Sequence, residues 1–145
     1  MKIGFCMMLW TTSVTKKHRP ILEDIKATGY DGVEIPVFAG EPDDYAKLGR
    51  LLDEIGLERT TITVIGAKNK NPLSEKEADR KRAIKYLNWA IDCSEALGSR
   101  QLAGPLHQTL GHFSGKAPTR SERLRARAVH RAVGGGPPVE AHASP

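Results

Sequence analysis

Three glycines frame this chain. Gly29, Gly56 and Gly98 each close an amphipathic stretch and each leads within about four residues into an apolar stretch rich in β-branched side chains. Glycine reaches the left-handed conformation that ends a helix without a Cβ penalty. The stretches ahead of these glycines hold apolar residues at helical spacing. They are Ile21, Leu22 and Ile25, then Tyr45, Leu48, Leu51, Leu52 and Ile55, then Ala83, Ile84, Leu87, Ala90, Ile91 and Leu97. Helix, glycine stop and strand recurring on this period mean βα units around a parallel sheet.

The pattern predicts strands over Lys2–Leu9, Gly32–Phe38, Thr60–Ile65 and Arg100–Leu106. It predicts helices over Arg19–Thr28, Pro42–Ile55, Glu75–Leu97 and Arg120–Val133. Pro20 and Pro42 suit first-turn positions. Ser74 with Glu77, and Thr119 with Glu122, have the spacing of capping boxes. The fold class is α/β with about four βα units, which fits a doubly wound sheet or half of an eight-fold barrel. No G-x-G-x-x-G or Walker phosphate loop follows the first strand, so dinucleotide and nucleotide-triphosphate folds lose weight. From Gly134 the chain turns to Gly, Pro and Ala without apolar period and reads as an unstructured tail. The expected organisation is one domain over 1–133 and a tail over 134–145. The abrupt change to Arg, Ala, Gly and Pro is what a shifted reading frame or an early stop would leave.

Charge is only weak evidence for a nucleic-acid footprint, and no nucleic-acid partner is expected. The net charge is +5, but residues 119–145 carry five arginines, no lysine and only two glutamates, so the basicity is concentrated at one end. No run of about 18 apolar residues is present, so no membrane span is expected. The N-terminal Lys2 and the apolar run after it compete with a signal-peptide reading. The run is short and no small-x-small cleavage site follows, which favours a first strand. Cys6 and Cys93 fall in different elements and read as reduced thiols of a cytoplasmic protein.

Working residues of a parallel sheet sit at the carboxyl ends of the strands. That rule collects Met7, Met8 and Trp10, then Glu34 and Phe38, then Thr63, Ile65, Gly66 and Lys68, and finally Gly104, Leu106 and His107. One carboxylate and one imidazole in an apolar, aromatic lining suit a small polar ligand. Glu34 stands out, because a charge inside the run Val33–Phe38 needs a reason. A lysine or arginine partner is the structural alternative to a ligand. Met7, Met8 and Trp10 equally suit a hydrophobic core. His107 and His112 lack nearby Asp, Glu or Cys partners for a metal. The two cysteines lack a neighbouring base in sequence, so neither reads as a nucleophile.

The chain resembles the sugar phosphate isomerase/epimerase family of xylose isomerase-like TIM barrels, most closely ketose 3-epimerases of the D-tagatose 3-epimerase type. The resemblance rests on Lys2-Ile3-Gly4-Phe5 leading to Trp10, on Gly29-Tyr30-Asp31-Gly32-Val33-Glu34-Ile35, and on Ala90–Gly98 followed by Leu102–His107. It covers about residues 2–130. It implies a partial (β/α)8 barrel, a divalent metal (manganese), and proton transfer beside a ketose carbonyl through an enediolate. It implies that Trp10, Glu34, Gly104, Leu106 and His107 line a pocket for a sugar or sugar phosphate. The family's metal ligands and catalytic glutamates lie on strands five to eight, so the resemblance gives this chain no catalytic residue and no metal ligand, and inactivity alone is expected. Open sheet edges would then favour self-association. The alternatives are a non-catalytic half-barrel that pairs with a partner, and a metal nuclease of the apurinic-endonuclease kind.

Overall fold

A computed structural model describes residues 1–112 and 115–134. They divide into two compact units, one of residues 1–63 with 90–104, the other of 64–89 with the described residues from 105 on. The unstructured tail expected from Gly134 lies, apart from that glycine, outside the described residues, as does Glu140.

The first unit holds a four-stranded sheet, β1 (Gly4–Cys6), β2 (Gly32–Pro36), β3 (Glu58–Ile62) and β4 (Leu102–Ala103), in sequential order. Every neighbouring pair is parallel. Helices α1 (Arg19–Ala27) and α2 (Pro42–Ile55) connect the first three strands, and α3 (Glu77–Leu97) precedes β4. The residues of α3 up to Trp89 belong to the second unit and those from Ala90 to the first.

The strands are shorter than the sequence predicts. Only Gly4–Cys6 of the first stretch pairs with β2, and Met7–Leu9 turns into a 3-10 helix in which Trp10 and Thr11 both donate to the Met7 carbonyl. β4 is reduced to two residues. The Thr63 amide still donates to Ala103 at 3.0 Å, and Gly104 at φ +133° then turns the chain away. Helix bounds match the glycine logic closely, with Gly56 in the left-handed region capping α2.

One face of the sheet is the core. Val33, Ile35 and Val37 are buried with Leu22, Ile25, Leu48, Leu52 and Leu97 of the helices. Burying each such aliphatic side chain stabilises by about 1.5–3 kcal/mol. Two threonines replace aliphatics on β3 and just after it, and their hydroxyls are satisfied. Thr61 Oγ1 lies 2.8 Å from Ser94 Oγ and 2.7 Å from the Gln101 carbonyl, and Thr63 Oγ1 donates to the Val37 carbonyl. Arg59 joins three elements of the unit, donating from Nε to the Leu97 carbonyl at 3.1 Å and pairing with Asp53.

In the second unit Ile65, Ala83 and Leu87 pack with Val129 of α4 (Arg120–Ala132). Leu110 donates to the Ile65 carbonyl, Tyr86 Oη to the Val64 carbonyl, and Arg125 Nε to the Leu73 carbonyl at 3.1 Å. Thr119 and Glu122 form the expected capping box. Ser74 does not form one with Glu77. Helix α3 starts at Glu77 itself, which puts the acid two positions too early to reach back. Ser74 donates to Asp79 instead, and Glu77 pairs with Lys81. Among the described residues no helix is long and apolar enough to cross a membrane.

Close approach inside the first unit is testable. A Cβ built at Gly49 of α2 would stand 2.5 Å from the Leu97 carbonyl oxygen. Alanine is the better helix former by about 1 kcal/mol, whereas overpacking against backbone costs about 1–3 kcal/mol. Gly49→Ala is therefore expected to lower the urea midpoint with an unchanged m-value. A raised midpoint would mean that propensity outweighs the contact.

Candidate polar site on the inner sheet face

Side chains alternate across a strand, so the residues between Val33, Ile35 and Val37 project from the other face. The register sets them in rows. Gly4 pairs with Gly32 and Gly32 with Glu58, while in the next row Cys6 pairs with Glu34 and Glu34 with Thr60. The two glycines leave that face without bulk, and a shallow cavity of about 350 Å³ opens there, lined by Lys2, Cys6, Glu34, Glu58 and Thr60 among others. Lys2 and Glu58 form an ion pair at its rim; both are well exposed, so the pair contributes little to stability.

Glu34 is half-buried, and no lysine or arginine among the described residues pairs with it. Its neighbour across the register is Cys6. Burial first, and the neighbouring Glu34 carboxylate after it, push that thiol above its ordinary value. The row Cys6–Glu34–Thr60 thus offers a carboxylate with acceptor capacity to spare, flanked by a thiol and a hydroxyl. A carboxylate can accept from up to four donors, which suits a polyhydroxylated ligand.

The other predicted residues have different settings. Trp10 is 58% exposed and meets Phe5 edge-on, ring centroids 4.9 Å apart. Phe5 alternates with Cys6, so this aromatic contact is made on the opposite side of β1 from the thiol. Gly104 belongs to the first unit, and a Cβ there would overlap the Thr63 carbonyl oxygen, so the position demands glycine for the backbone alone. Leu106 and His107 belong to the second unit. Leu106 packs against its hydrophobic core. His107 is exposed and lines a second cavity together with His112. Met7 is fully buried in the core while Met8 is 39% exposed. Thr63 and Ile65, also at strand ends by the sequence pattern, are buried structural residues.

Sequence reasoning missed Cys6 and Thr60 as members of the site. The signal lay in the matched spacing of Gly4-Phe5-Cys6 and Gly32-Val33-Glu34, which aligns a thiol with the carboxylate once the glycines face each other. Among the described residues no three His, Cys, Asp or Glu side chains gather closely enough to hold a metal ion. Glu34 alone has a carboxylate's affinity for one and lacks companions, so the residues present do not fit the divalent metal that the resemblance implies.

Comparison with known proteins follows the fold. A model of the family described as xylose isomerase-like TIM barrel matches residues 22–133. A probable ketose 3-epimerase of Synechocystis sp. is 25% identical over 132 residues, which is 91% of this chain and 46% of that protein. A solved L-ribulose 3-epimerase superposes with a TM-score of 0.80 at 24% identity, over 92% of this chain and 45% of its own. A D-allulose 3-epimerase from Methylomonas sp. gives 0.76 at 24% identity, over 90% and 46%. The chain spans about half the length of the relatives it matches.

The thiols provide a check on the geometry. Cys93 is buried, and burial with the nearby Glu41, Asp92 and Asp44 carboxylates pushes it up to about 11. Iodoacetamide at pH 8.5 is expected to label Cys6 slowly and Cys93 only on unfolding. Glu34→Gln removes the charge that opposes the Cys6 thiolate, so labelling of Cys6 should accelerate while that of Cys93 does not. Mass spectrometry of the tryptic peptides reads both, and equal Cys6 rates in the two proteins would refute the influence of Glu34 on Cys6.

Proposed function

This chain belongs to the xylose isomerase-like TIM barrel family, and from that premise we propose that residues 1–133 form the first half of a ketose 3-epimerase-type barrel whose inner face binds sugar hydroxyls. The observation that carries the reading is the row Cys6–Glu34–Thr60 on the sheet face away from the helices. Glu34 is the recognition residue. Its carboxylate accepts from two neighbouring hydroxyls of an open-chain ketose, and charge-assisted bonds of this kind are about twice as strong as neutral ones. Cys6 stands beside Glu34 in the register, and Thr60 adds a hydroxyl that can donate or accept. Trp10, Gly104, Leu106 and His107 remain proposed pocket positions on the strength of the resemblance. In the family a divalent metal supplies charge stabilisation beside the carbonyl; the described residues do not gather the ligands for one, and no step is assigned to it or to a catalytic residue here.

The D-allulose named for one related crystal structure, a complex of the Methylomonas enzyme, is the first sugar to test. Calorimetric titration of D-allulose into the 145-residue chain should show weak saturable binding, and Glu34→Gln should weaken it about tenfold, the loss of about 1.4 kcal/mol. A 3-epimerisation assay with and without added manganese is expected to show no turnover by this chain alone. Undiminished binding by the Glu34→Gln chain would defeat the assignment of Glu34, and turnover would defeat the assignment of the chemistry to residues outside this chain.

Self-association is part of the same reading. Ile3, just before β1, and Leu9, at the end of the 3-10 helix that follows it, are 52% and 77% exposed, and β1 and β4 are the sheet's two edges. Unpaired edges beside exposed aliphatics are templates for pairing with a second copy. Sedimentation velocity should show mass rising with concentration, and Ile3→Lys with Leu9→Lys should shift it toward monomer. A monomer at all concentrations would count against it.

A further inference from the structure

We propose that the second unit carries a binding site for a phosphate group, in the cavity between the segments 107–112 and 115–118 and the first turns of α4. The proposal does not draw on the sugar reading. The cavity holds about 610 Å³, room for a small phosphate ester. Its charged and titratable lining is His107, His112 and Lys116 from the two segments, and Glu122, Arg123 and Arg127 from α4.

The guanidinium groups of Arg123 and Arg127 therefore share this lining with one carboxylate, and that carboxylate is already engaged. Glu122 accepts from the Thr119 amide at 2.6 Å and from its hydroxyl at 2.9 Å. Those bonds, with the Arg125 and Lys116 charges after them, hold its carboxyl below the usual range, and it serves as the charged cap of α4. Arg123 and Arg127 are four residues apart and share one face of α4, a spacing at which like charges repel. Arg123 donates one guanidinium nitrogen to the Pro118 carbonyl, which aims the fork and leaves its other donors. Arg127 has no hydrogen-bond or ion-pair partner among the described residues, and neither His107 nor His112 has a side-chain partner there. Each arginine offers a planar fork of donors that suits a tetrahedral oxyanion, and a dianion between the two relieves their repulsion.

The surroundings hold this arrangement in place. Arg125 Nε clamps α4 to the Leu73 carbonyl, and Leu73 itself lines the cavity. Val129 anchors the far end of α4 in the core. Gln108 Nε2 donates to the His112 carbonyl at 3.0 Å and so closes the turn that presents both imidazoles. A merely solvated basic face has no need of a concave wall or of fixed loop geometry.

The test is a titration of inorganic phosphate into the ¹⁵N-labelled 145-residue chain at low ionic strength, with chloride at matched ionic strength as the control. Saturable amide shifts are expected at His107, Gln108, His112, Arg123 and Arg127, with a dissociation constant in the millimolar range. Arg127→Gln, at an exposed position without partners, should retain the fold and weaken phosphate about tenfold. Arg123→Gln should do the same, and Glu34→Gln should change nothing. Linear shifts that chloride reproduces, shifts centred elsewhere, or undiminished binding by the Arg127→Gln chain would each overturn the proposal.

Discussion

Burial of one face of a short parallel sheet is the constraint on which the rest depends. Parallel strands need crossover connections, and the helices that cross must cover the sheet they connect. In the first unit that cover is Leu22, Ile25, Leu48, Leu52 and Leu97 over Val33, Ile35 and Val37. The fit is tight enough that α2 uses Gly49 against the Leu97 carbonyl, and that Gly98 passes the Arg59 guanidinium. Thr61 and Thr63 are tolerated in that dry layer because each hydroxyl has a backbone carbonyl within reach, which removes the penalty of an unpaired buried polar group.

With one face committed to packing, the other is available for chemistry. Glu34 would be intolerable one residue earlier or later, because a one-residue shift exchanges the two faces. Where it stands, it keeps partial contact with solvent, with Cys6 and Thr60 beside it in the register. A lysine or arginine partner would have neutralised its recognition value, and among the described residues none pairs with it. The glycines Gly4 and Gly32 in the neighbouring row keep the approach open.

Much of the fold was legible in sequence because its signals are local. Glycine stops, helical periodicity and β-branched runs depend on neighbours within a few residues, and they located four strands and four helices in the observed order. Strand lengths were overestimated because apolar runs continue past the point where a partner strand ends. Met7–Leu9 has strand-like composition but no partner beyond Cys6, so it coils. The Ser74 cap failed for a related reason, since the start of α3 is settled by packing and not by the box spacing. The family resemblance, carried by the order of three moderately specific stretches, agrees with the match over residues 22–133 and with the superposition on ketose 3-epimerases.

By itself the sequence determined the βα order, the helix stops, the family and the anomaly of Glu34, because each is written in residues adjacent along the chain. The tertiary structure alone decided what Glu34 meets. Register between strands is a non-local quantity, and it set Cys6 and Thr60 beside the carboxylate. It alone decided, too, that His107, Arg123 and Arg127 border one cavity. Residues 16 to 20 apart in sequence come together only where α4 folds back on the segments before it, and no periodicity in the chain encodes that.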